Sequence, residues 1–197
     1  MKTLVIFILS VICQLQILSA QNDSAIFYQK SLRINNTGMY VLGSWAIANL
    51  ATGVHGWKNG EGANKYFHQM NFFWNTVNFS LATIALVNNY LTDISTLTGD
   101  EMIRKHLNHQ KLFLINGGLD LFYIGTGFGL REWSKNTSRN ADRLLGYGNS
   151  VILQGGFLLL FDGIMYLIQH SHLTSFTEKL NISLTTDHLH VGLNIKF

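Results

Sequence analysis

The sequence predicts an all-α protein: a four-helix transmembrane bundle with a cleaved signal peptide and a short C-terminal β-hairpin. Three observations carry this reading. Only 13% of the residues are charged while 47% are hydrophobic, about half the roughly 25% charge of an ordinary soluble domain. Four stretches run without Arg, Lys or Glu for about the length a bilayer demands: between Arg33 and Lys58, Lys65 and Asp93, Lys111 and Arg131, and Arg143 and Glu178. The end of the chain switches to a period of two.

Taken in order, Met1 and Lys2 precede an apolar run over 4–18 and a small-residue end, Ser19-Ala20, before Gln21. A charged start, an apolar core and small residues at the cut make a secretory signal peptide, so residues 1–20 are expected to be removed after Ala20. The single cysteine, Cys13, lies inside that segment. A mature chain without cysteine excludes disulfide exchange, thiolate nucleophiles and cysteine ligation of metals. Residues 21–36 read as a polar periplasmic lead. Helices are predicted over 39–57, 67–90, 107–130 and 145–170, giving a transmembrane domain over 37–171. The connectors are polar or turn-like, beginning with Lys58-Asn59-Gly60-Glu61-Gly62, and the chain has no proline to kink a helix.

Orientation follows from the ends. Export of the amino terminus puts the first and third connectors in the cytoplasm, with Lys58, Lys65, Arg131, Lys135, Arg139 and Arg143, while the second balances Arg104 and Lys105 against Asp93, Asp100 and Glu101. The predicted location is a bacterial inner membrane, multi-pass, with both mature termini periplasmic. In the periplasmic tail, 172–197, Leu189, Val191, Leu193, Ile195 and Phe197 alternate with polar residues or glycine, and Ile182 and Leu184 before Thr186-Asp187 complete a hairpin.

The chemistry sits in polar residues within the apolar stretches. A rise of about 1.5 Å per residue places Asn49, Asn78, Asp120 and Gln154 near mid-membrane, and Asn116 with Asp162 at a level closer to the periplasm. Asn71, Asn75 and Asn78 form one seam, Asn116 and Asp120 another. An ionised side chain at the bilayer centre costs roughly 2.5 to 3.5 kcal/mol, so these carboxyls must find amide donors or stay protonated. The layer either fixes which helices pair or handles ions, with Asp120 and Asp162 as relays and Asn49, Asn75, Asn78, Asn116 and Gln154 as ligands. Gly125 and Gly129 have the spacing of closely packed spanning helices.

His106, His109, His170, His172, His188 and His190 gather on the periplasmic side, His55 and His68 on the other. Imidazole ligates metals and haem iron, which makes His109 with His170, and His55 with His68, candidate pairs. The leading expectation is nevertheless that no cofactor is bound. His68-Gln69 before Asn75 repeats as His109-Gln110 before Asn116. No nucleophile with a base, phosphate-cradling glycine loop or metalloprotease helix is present, so no enzymatic activity is expected. The scattered Lys and Arg exclude nucleic acid as a partner. A structural or partner-binding bundle results, with the lipid bilayer, a second copy or another membrane protein as partners. The alternatives are a small ion, proton or solute transporter and a histidine-ligated haem or metal protein.

The stretch Met39-Tyr40-Val41-Leu42-Gly43-Ser44-Trp45, the run His68-Gln69-Met70-Asn71 with Trp74-Asn75 and Asn78, and the segment from Gln154-Gly155-Gly156-Phe157 to Phe161-Asp162 resemble a family of small four-helix membrane proteins of unknown function from Gram-negative bacteria. The resemblance covers about residues 37–170. It implies a fold and a compartment and carries no activity.

Overall fold

The structure, a computed structural model, describes residues 2–186, with side chains described over 21–180. Its helices are α1 (Lys2–Asn59), α2 (Gly62–Tyr90), α3 (Gly99–Lys135) and α4 (Ala141–Thr186), with one turn of 3₁₀ helix at Ile94–Thr96. The all-α reading holds, and three of the four helices are much longer than the sequence reading drew them.

Residues 21–36, read as a polar lead, are helix. Their composition hides an amphipathic pattern: Ser24, Phe27, Tyr28, Ser31, Leu32 and Asn35 are buried, the i, i+3, i+4, i+7 spacing of one helical face. At the other end α4 continues through Ile182 and Leu184 to Thr186, which replaces the first strand of the expected hairpin with helix. No strand occurs among the described residues, and 187–197, the rest of that hairpin, lie outside them.

The helix ends are set locally. Gly62 has φ +52°, a left-handed conformation that costs glycine nothing and lets the chain reverse within two residues. Thr98 caps α3 by accepting from the Glu101 amide, and the Glu101 carboxylate accepts from the Thr98 amide at 2.9 Å, a reciprocal capping box.

Around the bundle α1 packs on α2, α2 on α4 and α4 on α3, while α2 and α3 barely meet. Glycines set the closest crossings. A Cβ on Gly127 would stand 2.8 Å from the Gly148 carbonyl oxygen, and one on Gly148 2.7 Å from that of Gly127. Gly53 and Gly56 likewise admit His68 and Phe72, and Gly146 admits the backbone of Ala63 and Phe67. A Cβ on Gly125 or on Gly129, singled out by their spacing, would meet nothing within 4 Å among the described residues. Beyond the end of α2, α1, α3 and α4 continue as a three-helix extension around Phe27, Tyr28, Leu32 and Met102.

The interior is inverted in polarity. Sixteen buried residues of the described chain are polar or charged and twelve hydrophobic, so burial here does not follow the rule for a protein in water. On α2 the buried residues are Asn71, Asn75, Asn78, Ala82 and Asn89. Phe73, Val77, Leu81 and Ile84 of the same helix are each about half exposed, on the side that borders the gap toward α3. Two helices, α3 and α4, are long and apolar enough to cross a membrane.

Candidate functional site

Two polar assemblies occupy the middle of the bundle. The first is an amide ladder joining α1, α2 and α4. The Trp45 indole N–H donates to Gln154 Oε1 at 2.9 Å, and the Gln154 amide donates to Asn71 Oδ1 and, at 3.4 Å, to Asn49 Oδ1. Asn71 donates to Asn49 Oδ1 at 2.9 Å, Asn75 to the Asn71 carbonyl at 2.8 Å and Asn78 to Asn75 Oδ1 at 3.5 Å. Trp45 is held flat against Phe157, their rings 3.9 Å apart. Each amide nitrogen of the ladder thus donates to at least one partner, as a site shielded from solvent requires.

Asp120 does not belong to this ladder, against the layer expected from depth. Its carboxyl lies within hydrogen-bonding reach of Asp162 instead. Cα–Cβ bonds lean toward a helix N-terminus, so on the antiparallel α3 and α4 these two side chains lean toward each other from different levels. Counting residues along the axis places backbones and misses that reach. Two carboxyls in contact hydrogen-bond only when one carries a proton and donates it. The Asp162 carboxyl apart, the buried Asp120 Oδ2 meets no donor among the described residues.

The pair lies on the floor of a cavity of about 840 Å³ where α2 and α3 diverge. One face of α3 lines it with His109, Phe113, Asn116, Asp120 and Tyr123, and α2 contributes Trp74, Asn78, Leu81 and Ile84 among others. Trp74 and Tyr123 meet edge to face at 4.9 Å and close one end. Asn116 is exposed on the wall rather than grouped with Asp162 in a separate layer.

The histidine pairs are not drawn together. His170 is exposed and its Nδ1 is engaged by the Gln110 amide at 2.9 Å, while His109 Nδ1 is buried without a partner. His55 contacts Asn59 at the exposed surface and His68 packs on Gly56. Among the described residues no three His, Cys, Asp or Glu side chains are grouped to hold a metal ion. The His-Gln repeat does have a structural counterpart: Gln69 bonds Tyr147 of α4 at 2.8 Å as Gln110 bonds His170, and His68 Nδ1, like His109 Nδ1, is buried and unpartnered.

A third polar group was not legible as a site. In the extension His106 Nδ1 lies 2.7 Å from Ser31 Oγ, which donates to Gln169 Oε1 at 3.4 Å. All three are fully buried, and His106 Nε2 lacks a partner. Burial pushes the His106 imidazole down to about 4, with the neighbouring His172 and His109 rings adding to the shift. His172 Nε2 donates to the Phe27 carbonyl, 3.0 Å away, and the imidazole stacks on the Phe27 ring. The signal in the sequence was the placement of Ser31 one turn from Phe27 and Tyr28 on an amphipathic face.

Residues 41–163 match the profile described as Family of unknown function (DUF6992). The chain belongs to this family. The DUF6992 segment contains the whole amide ladder, both aspartates and most of the cleft, and leaves out Ser31, Gln169 and His172 of the extension. No curated protein and no solved structure matches the chain. Membership in DUF6992 agrees with the resemblance read from the motifs and brings no activity with it.

Proposed function

We propose that the protein is a non-catalytic, multi-pass inner-membrane bundle, exported by a cleaved signal peptide, whose amide ladder fixes helix pairing so that the assembled bundle can act on a ligand or a partner in the bilayer. The inverted interior carries this reading. A helix that buries asparagines and exposes Phe73, Val77, Leu81 and Ile84 would be unfolded by water and is matched to hydrocarbon. Of the most apolar windows of α3 and α4 only 17% and 33% is buried, unlike the core helices of a protein in water. The 29 residues of α2 span about 43 Å, the thickness of a bilayer with its headgroups. The spans are then about 40–57, 67–88, 111–131 and 145–165, and the three-helix extension projects into the periplasm.

The one Ser–His contact among the described residues, Ser31 with His106, is fully buried, which supports a structural part over nucleophilic catalysis. A lipid bilayer is the first partner, and a second copy or another membrane protein the next. A second reading, transport of an ion, proton or small solute, draws on the Asp120–Asp162 pair. The two readings separate on flux: under the first, the double substitution Asp120→Asn with Asp162→Asn leaves assembly intact and no ion or proton flux exists to lose in reconstituted vesicles. The membrane reading itself is tested by alkaline carbonate extraction of native membranes. Retention in the pellet is expected, and release of the folded chain into the supernatant would overturn it.

A further inference from the structure

We propose that the cleft between α2 and α3 is a binding site for a single-chain cationic amphiphile, an alkylammonium whose nitrogen sits at Asp120 and Asp162 and whose hydrocarbon lies between the two helices. Four observations converge on it. The cavity, about 840 Å³, falls within the roughly 300 to 1,000 Å³ of small-molecule sites, and like them it has apolar walls with a few convergent polar groups. Asp120 is 2% exposed and lines the cavity, and apart from the Asp162 carboxyl its buried Oδ2 meets no donor among the described residues. A buried acceptor left unmade is costly, and a ligand N–H supplies the missing donor.

The charge balance is equally one-sided. No Lys or Arg lines the cleft, so a carboxylate at Asp120 or Asp162 has no basic side chain on its walls to pair with. A monovalent cation supplies that partner, whereas a fatty acid would add a third carboxyl and an alcohol would leave the charge uncompensated. The shape selects a chain rather than a compact ion. From Asp120 the cleft runs past Asn116 and Phe113 to His109, eleven residues or about 16 Å along α3, between Phe113 and Leu112 on one side and Leu81 and Ile84 on the other. His109 Nδ1, unpartnered at the far end, marks where the chain would emerge. Entry from the lipid rests on the membrane reading above; the binding chemistry does not.

The probe is dodecylamine, with dodecanol and dodecanoate as competitors, added to the full chain in detergent and read by native mass spectrometry. The expected result is one saturable equivalent of amine that neither competitor displaces. Affinity should fall at least about tenfold when Asp120→Asn and Asp162→Asn are combined, the loss that removal of a charged partner produces. Leu81→Trp, which fills the groove and leaves both acids in place, should abolish binding with helicity and thermal unfolding retained, so that loss of the site is not confused with loss of the fold. Undiminished binding by the double variant, equal binding of dodecanoate or dodecanol, or no saturable adduct on the folded wild type would each overturn the proposal. Carbonate extraction of the native membranes from which the chain is purified separates the two readings: an extractable protein that holds the amine sinks the membrane assignment alone, and a membrane-retained one that does not sinks the cleft alone.

Discussion

Gln154 is the residue on which three helices depend. It accepts from Trp45 of α1 and donates to Asn71 of α2 from its own position on α4, so Gln154→Ala leaves the indole N–H without its acceptor and takes one of two donors from both Asn49 Oδ1 and Asn71 Oδ1. The expected loss is about 1–3 kcal/mol in thermal or denaturant unfolding of the purified protein. Thr83→Val removes a hydroxyl that donates to the Phe79 carbonyl on an exposed face and should stay within about 0.5 kcal/mol; similar losses for both would sink the ladder as the specific device. Asn75 and Asn78 were legible as inward-facing because amides recurring one turn apart on an apolar helix share a face, and Asn49 and Gln154 because a lone amide in an apolar stretch must find a partner. Asn71 belonged to the seam of Asn75 and Asn78, and its central place was not legible, since which seam faces which depends on the order of helices around the bundle. His106 gives a second prediction. The unfolded imidazole titrates near about 6.5 while the folded one is held at about 4. Between those values the unfolded state carries more protons, so stability falls as pH drops through that window, by on the order of 3 kcal/mol in total. His172 is shifted the same way and leaves a residual slope. His106→Gln should flatten the dependence of unfolding temperature between pH 4 and 6.5, and an unchanged slope would refute the assignment.

At the scale of elements, glycine position decides more than glycine spacing. Gly125 and Gly129 have the spacing that suggests close packing, yet a Cβ on either would meet nothing within 4 Å among the described residues, while Gly127 and Gly148, with no such motif, bring two backbones together. Alanine at Gly127 or Gly148 should therefore destabilise by about 1–3 kcal/mol, because a methyl group would have to push apart two helix backbones rather than a flexible side chain. Alanine at Gly125 or Gly129 should be neutral or stabilise by up to about 1 kcal/mol through helix propensity. Unfolding measurements on the four single variants distinguish the cases; equal destabilisation of all four would reject the crossing geometry. The existence of four helices was legible because charge-free stretches of bilayer length are hard to place otherwise. Their true lengths were not, since α1 over 21–36 reads as polar until its buried face is counted at helical spacing. The cleft was not legible either, because it exists only where α2 and α3 fail to pack, a property of arrangement that no single helix records.

The whole molecule sets a geometric condition on its own amino terminus. The apolar run over 4–18 and the first span, about 40–57, lie on one helix, α1, with their centres some 37 residues apart. At about 1.5 Å per residue that is roughly 56 Å, more than the 40–45 Å of a bilayer with its headgroups. On the membrane reading proposed above, an unbroken helix without proline cannot seat both apolar segments in one membrane. On that reading, removal of residues 1–20 would resolve the conflict. The mature protein purified from membranes should begin at Gln21, as read by intact mass. The same cleavage leaves a cysteine-free chain, so single cysteines report topology without background. Cysteine in place of Lys135, between α3 and α4, should be protected from a membrane-impermeant maleimide in intact cells, and cysteine in place of Asp93, between α2 and α3, should be labelled. An intact Met1 would refute cleavage. The reverse labelling pattern would invert the bundle and place the three-helix extension, with His106 and Gln169, in the cytoplasm, against the signal peptide and the basic connectors alike.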